Sequence, residues 1–211
     1  MQRFKKGLNV IVASAALSFM SGSSSSAVVE PEHLTSPDTE VILPVFSLPE
    51  QLDCMKNHIE AVFVSRHDDR EEISVVFSDE SHPNRIIDWL YHGFRHLRYG
   101  RTKDIETFVF RYQDKTNIPD SIEFPGSYSD GQRWNHFFQH HYERVLSMSD
   151  FTMSAARPVL YINTWNHLFS NKNTNDDDAN PPRMTTISNY PVYRGSRQDA
   201  ERWFRYRHDV E

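Results

Sequence analysis

The sequence predicts a single α+β domain, with a mainly antiparallel sheet and about three or four packed helices. Three observations carry this. Some short segments alternate apolar and polar residues as half-buried strands do, most clearly at Ile73, Val75 and Phe77. Other segments repeat apolar residues every three or four positions between helix start and stop signals. The two kinds mix without a regular β-α-β rhythm, which argues against a parallel α/β sheet.

Residues 28–46 read as a loose lead-in or edge segment, in which a strand over 40–46 is demoted from a central place by Pro44. Residues 47–211 read as one globular unit. Ser47 and Glu50 form a capping-box pattern, and Leu48, Leu52, Met55 and Ile59 follow at helical spacing. Strands over 61–65 and 72–77 predict a hairpin whose link is charged apart from His67. Residues 81–99 are the clearest helix, with Pro83 in the first turn and Gly100 past the end. Its expected buried stripe is Ile86, Leu90, Phe94 and Leu97, which leaves Asp88, His92 and His96 facing solvent.

Strands are expected over 106–112 and 121–124. Ser129 or Asp130 then caps a second long helix to Leu146, with Trp134, Phe138, His141 and Val145 on its apolar stripe. Residues 158–165 are the most apolar strand and are expected at the sheet centre. An Asn/Asp-rich loop fills 171–182, followed by a strand near 183–187 and a short segment at 190–193. Ser196 and Asp199 open a last helix in capping-box fashion, running to about Arg207.

The N-terminus reads as a cleavable signal peptide. Arg3, Lys5 and Lys6 precede an uncharged, mostly apolar run over 7–20, and small residues lead to a cut before Val28. The run is shorter than the roughly 20 apolar residues a bilayer span needs, and no later segment supplies a membrane anchor. The expected location is therefore secreted, either extracellular or periplasmic, with delivery into a host cell as a variant of the same route. Removing 1–27 takes away three positive charges from a chain whose formal net charge is already −6, so neither nucleic acid nor an anionic membrane is an expected partner. Cys54 is the single cysteine, which rules out an internal disulfide. Stability must then come from core packing, for which the 14 Phe, 9 Tyr and 4 Trp are ample material.

Candidate chemistry centres on histidines. His136, His140 and Glu143 have the spacing of a two-histidine, one-carboxylate metal site on a helix, as Asp88, His92 and His96 do on the earlier one. Both sets fall opposite the apolar stripes, so a solvated polar face is favoured over metal, and no cofactor is expected. His141 differs, because it lies on the stripe, either as a core histidine or as a general base. Asn163-Thr164-Trp165-Asn166-His167 closes the most apolar strand with polar and aromatic groups. Asn163 and Trp165 are placed to line a pocket there, and Asn166 and His167 to orient a substrate or move a proton, unless the segment is a self-satisfied turn.

Alternating Asn171, Asn173, Asn175 and Asp177 suggest oxygen ligands for calcium, but the glycine and closing glutamate of an EF-hand loop are missing. No nucleophile elbow or phosphate-binding loop is spelled out, since Gln132 and Arg133 stand where Lys and Ser/Thr would be needed. Arg95-His96-Leu97-Arg98 spells an RxLR tetrad, but it lies far from the export signal inside a helix and is read as chance. Three functional readings follow. The first is an exported protein that binds an unidentified protein partner, as an effector or virulence factor would. The second is a secreted hydrolase or metal-dependent enzyme, and the third a small-molecule binding or accessory domain.

Overall fold

The computed structural model describes residues 30–34, 42–50, 57–82, 84–99, 103–113, 118–176 and 179–206. The expected signal peptide and Cys54 lie outside the described residues. In chain order the elements are β1 (Val45–Pro49), β2 (Ile59–His67), β3 (Arg70–Phe77), α1 (Arg85–Tyr99), β4 (Asp104–Arg111), β5 (Ser121–Tyr128) and β6 (Tyr142–Ser147). There follow β7 (Met153–Ser154), β8 (Arg157–Ile162), β9 (Phe169–Ser170), β10 (Met184–Ile187), β11 (Val192–Arg194) and α2 (Arg197–Tyr206).

Strand makes up 41% of the structure and helix 17%, so the sheet is the body of the molecule. Nine strands run in the order β10-β1-β8-β9-β5-β4-β3-β2-β11 and curl into a half-barrel, with β6 beside β5 and β7 beside β8. This overturns the expected α+β domain with a mainly antiparallel sheet and three or four packed helices. The pairs β1–β8, β5–β9 and β2–β11 are parallel, and α1 and α2 are the only α-helices of the described residues beyond Glu50.

Of the expected first helix only the ends fall within the described residues. Ser47 and Leu48 of the expected first helix belong to β1, Ile59 opens β2, and 51–56 lie outside the described residues. The expected helix over 129–146 is instead a loop followed by β6. The Gln132 amide decides this: its Nε2 donates to the His140 carbonyl at 2.7 Å, and its Oε1 accepts from the His140 N–H at 2.5 Å. A helix would hold residues eight apart roughly 12 Å from one another. Gly131, at φ +71°, supplies the left-handed turn that starts the loop.

The hairpin expected between β2 and β3 is present and tighter than its charged link implied. Arg66 pairs with Glu71 and His67 with Arg70, which leaves Asp68 and Asp69 as the turn. β3 pairs with β4 along its full length. β5 carries Pro125 and Gly126, where the register with β6 shifts and Gly126 takes φ +86°. That irregularity bends the strand, so that Tyr128 reaches β9.

Two strands change rank. β8 lies between β1 and β9 rather than at the centre of the sheet, and β1 is flanked on both sides, not an edge. Pro44 sits just outside β1, where its carbonyl accepts from Arg157 Nη2 at 2.7 Å and Tyr190 Oη at 2.6 Å. The strand alternation then separates two cores. Val62, Val64, Ile73, Val75, Phe108 and Phe110 face the inner side, where Phe169 meets Phe46, Phe108 and Phe124 across the curl. Ala61, Phe63, Val76 and Ile105 face the outer side, beneath Ala200 and Phe204 of α2.

Candidate functional site: an inverted helix on an acidic seat

α2 is seated as an amphipathic helix should be, and α1 is not. Along α1 the residues turned toward the body are Asp88, Tyr91, His92 and Arg95, a stripe at i, i+3, i+4 and i+7. The residues turned to solvent include Ile86, Trp89, Leu90, Phe94 and Leu97, which are 53–87% exposed. The sequence located the apolar stripe correctly and placed it on the wrong side. The stripe expected to be buried is exposed, and Asp88 and His92, expected in solvent, are turned inward.

The cause is the acidic ground beneath the helix. β3 ends at Phe77, directly opposite Asp104 at the start of β4, and the following turn carries Asp79 and Glu80. Three carboxylates therefore gather at one sheet end, and Arg95, 3% exposed, sits among them. Its Nη1 lies 3.3 Å from Glu80 and 3.9 Å from Asp79, and its Nη2 lies 3.5 Å from Asp104. His92 Nε2 approaches Asp79 at 3.3 Å, and the Tyr91 hydroxyl donates to Glu80 at 3.3 Å.

Burial, reinforced by the neighbouring Asp104, pushes the Glu80 carboxyl up to about 8 despite Arg95. Burial next to Glu80 likewise pushes the Tyr91 phenol upward. The helix begins at Arg85, later than the expected Ser81, because Asn84 Oδ1 caps it by accepting from the Ile86 and Ile87 N–H groups. Asp88 turns back to accept from the His82 N–H at 2.7 Å.

The polar run 163–167 disperses into four environments. Asn163 is fully buried and holds the following loop: its Nδ2 donates to Lys172 O at 2.9 Å, and its Oδ1 accepts from Thr174 N at 3.2 Å. Asn163→Ala is expected to cost roughly 2–3 kcal/mol, because buried loop groups lose their partners. Urea denaturation checks it, and a midpoint equal to wild type would contradict the role. Trp165 packs edge-on against His82 at 4.7 Å, near Tyr91, and donates from Nε1 to His136 O at 3.0 Å.

Asn166 Nδ2 lies 3.3 Å from His141 Nε2, while His141 Nδ1 lies 2.8 Å from the Gly126 carbonyl. The carbonyl can only accept, so Nδ1 carries the proton and Nε2 accepts from Asn166. Both ring nitrogens of His141 are thus engaged, although the residue is exposed and lines a cleft of about 480 Å³ with Glu72, Glu106, Thr107 and Arg197. The expected apolar stripe that would have buried His141 does not exist, because its helix does not.

His167 points elsewhere. Its Nδ1 donates to Asp104 Oδ2 at 3.0 Å, and its ring stacks on Phe77 at 3.9 Å with 5° between planes. The backbone takes φ +60°, uncommon outside glycine, and Nε2 is buried with no hydrogen-bond partner among the described residues. The structure therefore brings His141 to Asn166 and His167 to Asp104, but not the three candidates together.

His136 and His140 lie in the loop and Glu143 in β6, so helical spacing does not join them. Among the described residues no group of three or more His, Cys, Asp or Glu side chains is placed to hold a metal ion. In the Asn-rich loop, Asn175 Nδ2 donates to Asn163 O at 3.2 Å, Asn175 Oδ1 accepts from Trp134 N at 3.1 Å, and Asn173 Nδ2 donates to Asp176 at 2.5 Å.

Sequence reasoning missed Arg95, Glu80, Asp104 and the outward role of Trp89. The available signal was chemical: a helix stripe of Asp, Tyr, His and Arg, with three acids on the flanking segments, offers interior partners as well as a face for water. No protein-family model, curated protein or solved structure matches the chain.

Proposed function

We propose that the protein is an exported binding protein whose docking element is the outward face of α1. The observation that carries this is the inversion of the helix. Five large apolar side chains stand in solvent on a helix whose polar face is fixed inward by charge contacts. Scattered apolar residues on a surface are ordinary, but a contiguous ridge marks an interaction surface. Elsewhere on the surface, Phe137 packs edge-on against His82 at 5.1 Å and against Phe138, which is 76% exposed.

No helix among the described residues is long and apolar enough to cross a membrane. Export rests on the charged, apolar and small-residue pattern of residues 1–27.

The test is stability. Trp89→Gln combined with Phe94→Gln is expected to leave folding stability within about 1 kcal/mol of wild type, since both side chains face solvent. Thermal and urea unfolding measure this. A loss of roughly 3 kcal/mol or more, as for apolar groups packed in the folded chain, would remove the reading.

A further inference from the structure

We propose that the surface met by α1 is an anionic lipid layer, with the helix lying flat in its interface; this rests on the docking role given to α1 above. The helix has 15 residues, about 22 Å of length, and its apolar side chains run from Ile86 at one end to Leu97 at the other. Such a ridge is long enough to lie along a surface and too short to cross one. An interfacial helix of this kind buries its apolar face about 5–10 Å deep at the headgroup boundary, with Trp and Phe among its anchors.

Charge selects the occupant. The exposed ionisable residues of α1 are Arg85, His96 and Arg98, and none of its exposed positions carries an acid. Asp88, the one acid in the helix, points inward to the His82 N–H. The arginines of this cationic rim belong to a chain whose formal net charge is −6, so they are a local reversal of the molecule's overall sign. A second copy would set one cationic rim against another between two acidic bodies. An anionic headgroup layer is opposite in sign to the exposed arginines of the helix. The inward polar stripe, held by Asp79, Glu80 and Asp104, keeps the apolar ridge outermost before any contact is made.

The experiment is co-sedimentation of the full chain with two vesicle types, phosphatidylcholine alone and phosphatidylcholine with roughly one third phosphatidylserine. Partitioning is expected to be about ten-fold or more stronger on the anionic vesicles and to weaken with added salt. Trp89→Gln with Phe94→Gln is expected to lower it about ten-fold or more, and Arg85→Gln with Arg98→Gln to abolish the preference for anionic lipid. Any binding through residues 1–27 would survive these substitutions, so they isolate the contribution of α1.

Equal binding to both vesicle types, or binding indifferent to the α1 substitutions, overturns the proposal. Absence of vesicle binding, with the Gln variants as stable as wild type, also overturns it and leaves the docking role to a protein partner. Concentration-dependent dimers in sedimentation equilibrium that the Gln variant abolishes would assign the face to a second copy instead. Unfolding of the Gln variant would remove both the lipid assignment and the docking role beneath it.

Discussion

Replacing Arg95 with leucine is expected to lower folding stability by about 3–5 kcal/mol, the usual cost of deleting one partner from a buried ionic cluster. Leucine fills much of the space but leaves Asp79, Glu80 and Asp104 facing one another without the cation that separates them. Glu80 escapes part of the cost, because burial already favours its protonated form. Asp104 keeps the His167 contact through its Oδ2. The damage is expected to concentrate at α1, whose inward side is attached largely through these charges. Urea denaturation gives the total, and hydrogen exchange shows whether α1 opens first. Arg95→Lys retains the charge but not the planar fork and is expected to lose less. A leucine variant within 1 kcal/mol of wild type would show that the acidic seat does not hold the helix.

The second large effect concerns pH. Glu80 has an ordinary value of 4.5 and is pushed to about 8 in the folded protein, first by burial and then by Asp104. The folded state therefore binds the proton more tightly than the unfolded chain does. Its stability contribution is fully present below pH 4.5 and is lost as pH rises through about 8. Glu80→Gln keeps the shape without the titration. At low pH it is expected to match wild type, and above about pH 8 to exceed it by roughly 4–5 kcal/mol. Unfolding measured across this range in both proteins checks the sign. Parallel stability curves would mean that the carboxyl is not protonated beneath α1.

What the sequence shows depends on how local the deciding interaction is. The β2–β3 hairpin, the alternation in β4 and the Ser196–Asp199 start of α2 were all legible, because each is settled within a few residues. Ser196 N donates to Asp199 Oδ2 at 2.8 Å, as a capping box requires. The false helix over 129–146 had good periodicity, but its fate is set by Gln132 and by Asn175, which lies far along the chain. For α1, periodicity located both stripes but could not say which one the rest of the chain would cover. That depended on Asp79, Glu80 and Asp104 meeting at one sheet end, a fact of strand register. The polar run at 163–167 was visible as a cluster, whereas its division among Lys172, His82, His141 and Asp104 needed the curl of the sheet.

The order of strands also sets a timetable. β2, β3, β4 and β5 are joined to sequence neighbours and can zip together early. β1 waits for β8 and β10, and β2 waits for β11, across separations of more than a hundred residues. Contacts that distant are slow to form, because the chain entropy must be given up before they return anything. Maturation of the half-barrel therefore runs from its middle outward. Its two ends are the last parts to assemble after synthesis and the first that a failing molecule lets go.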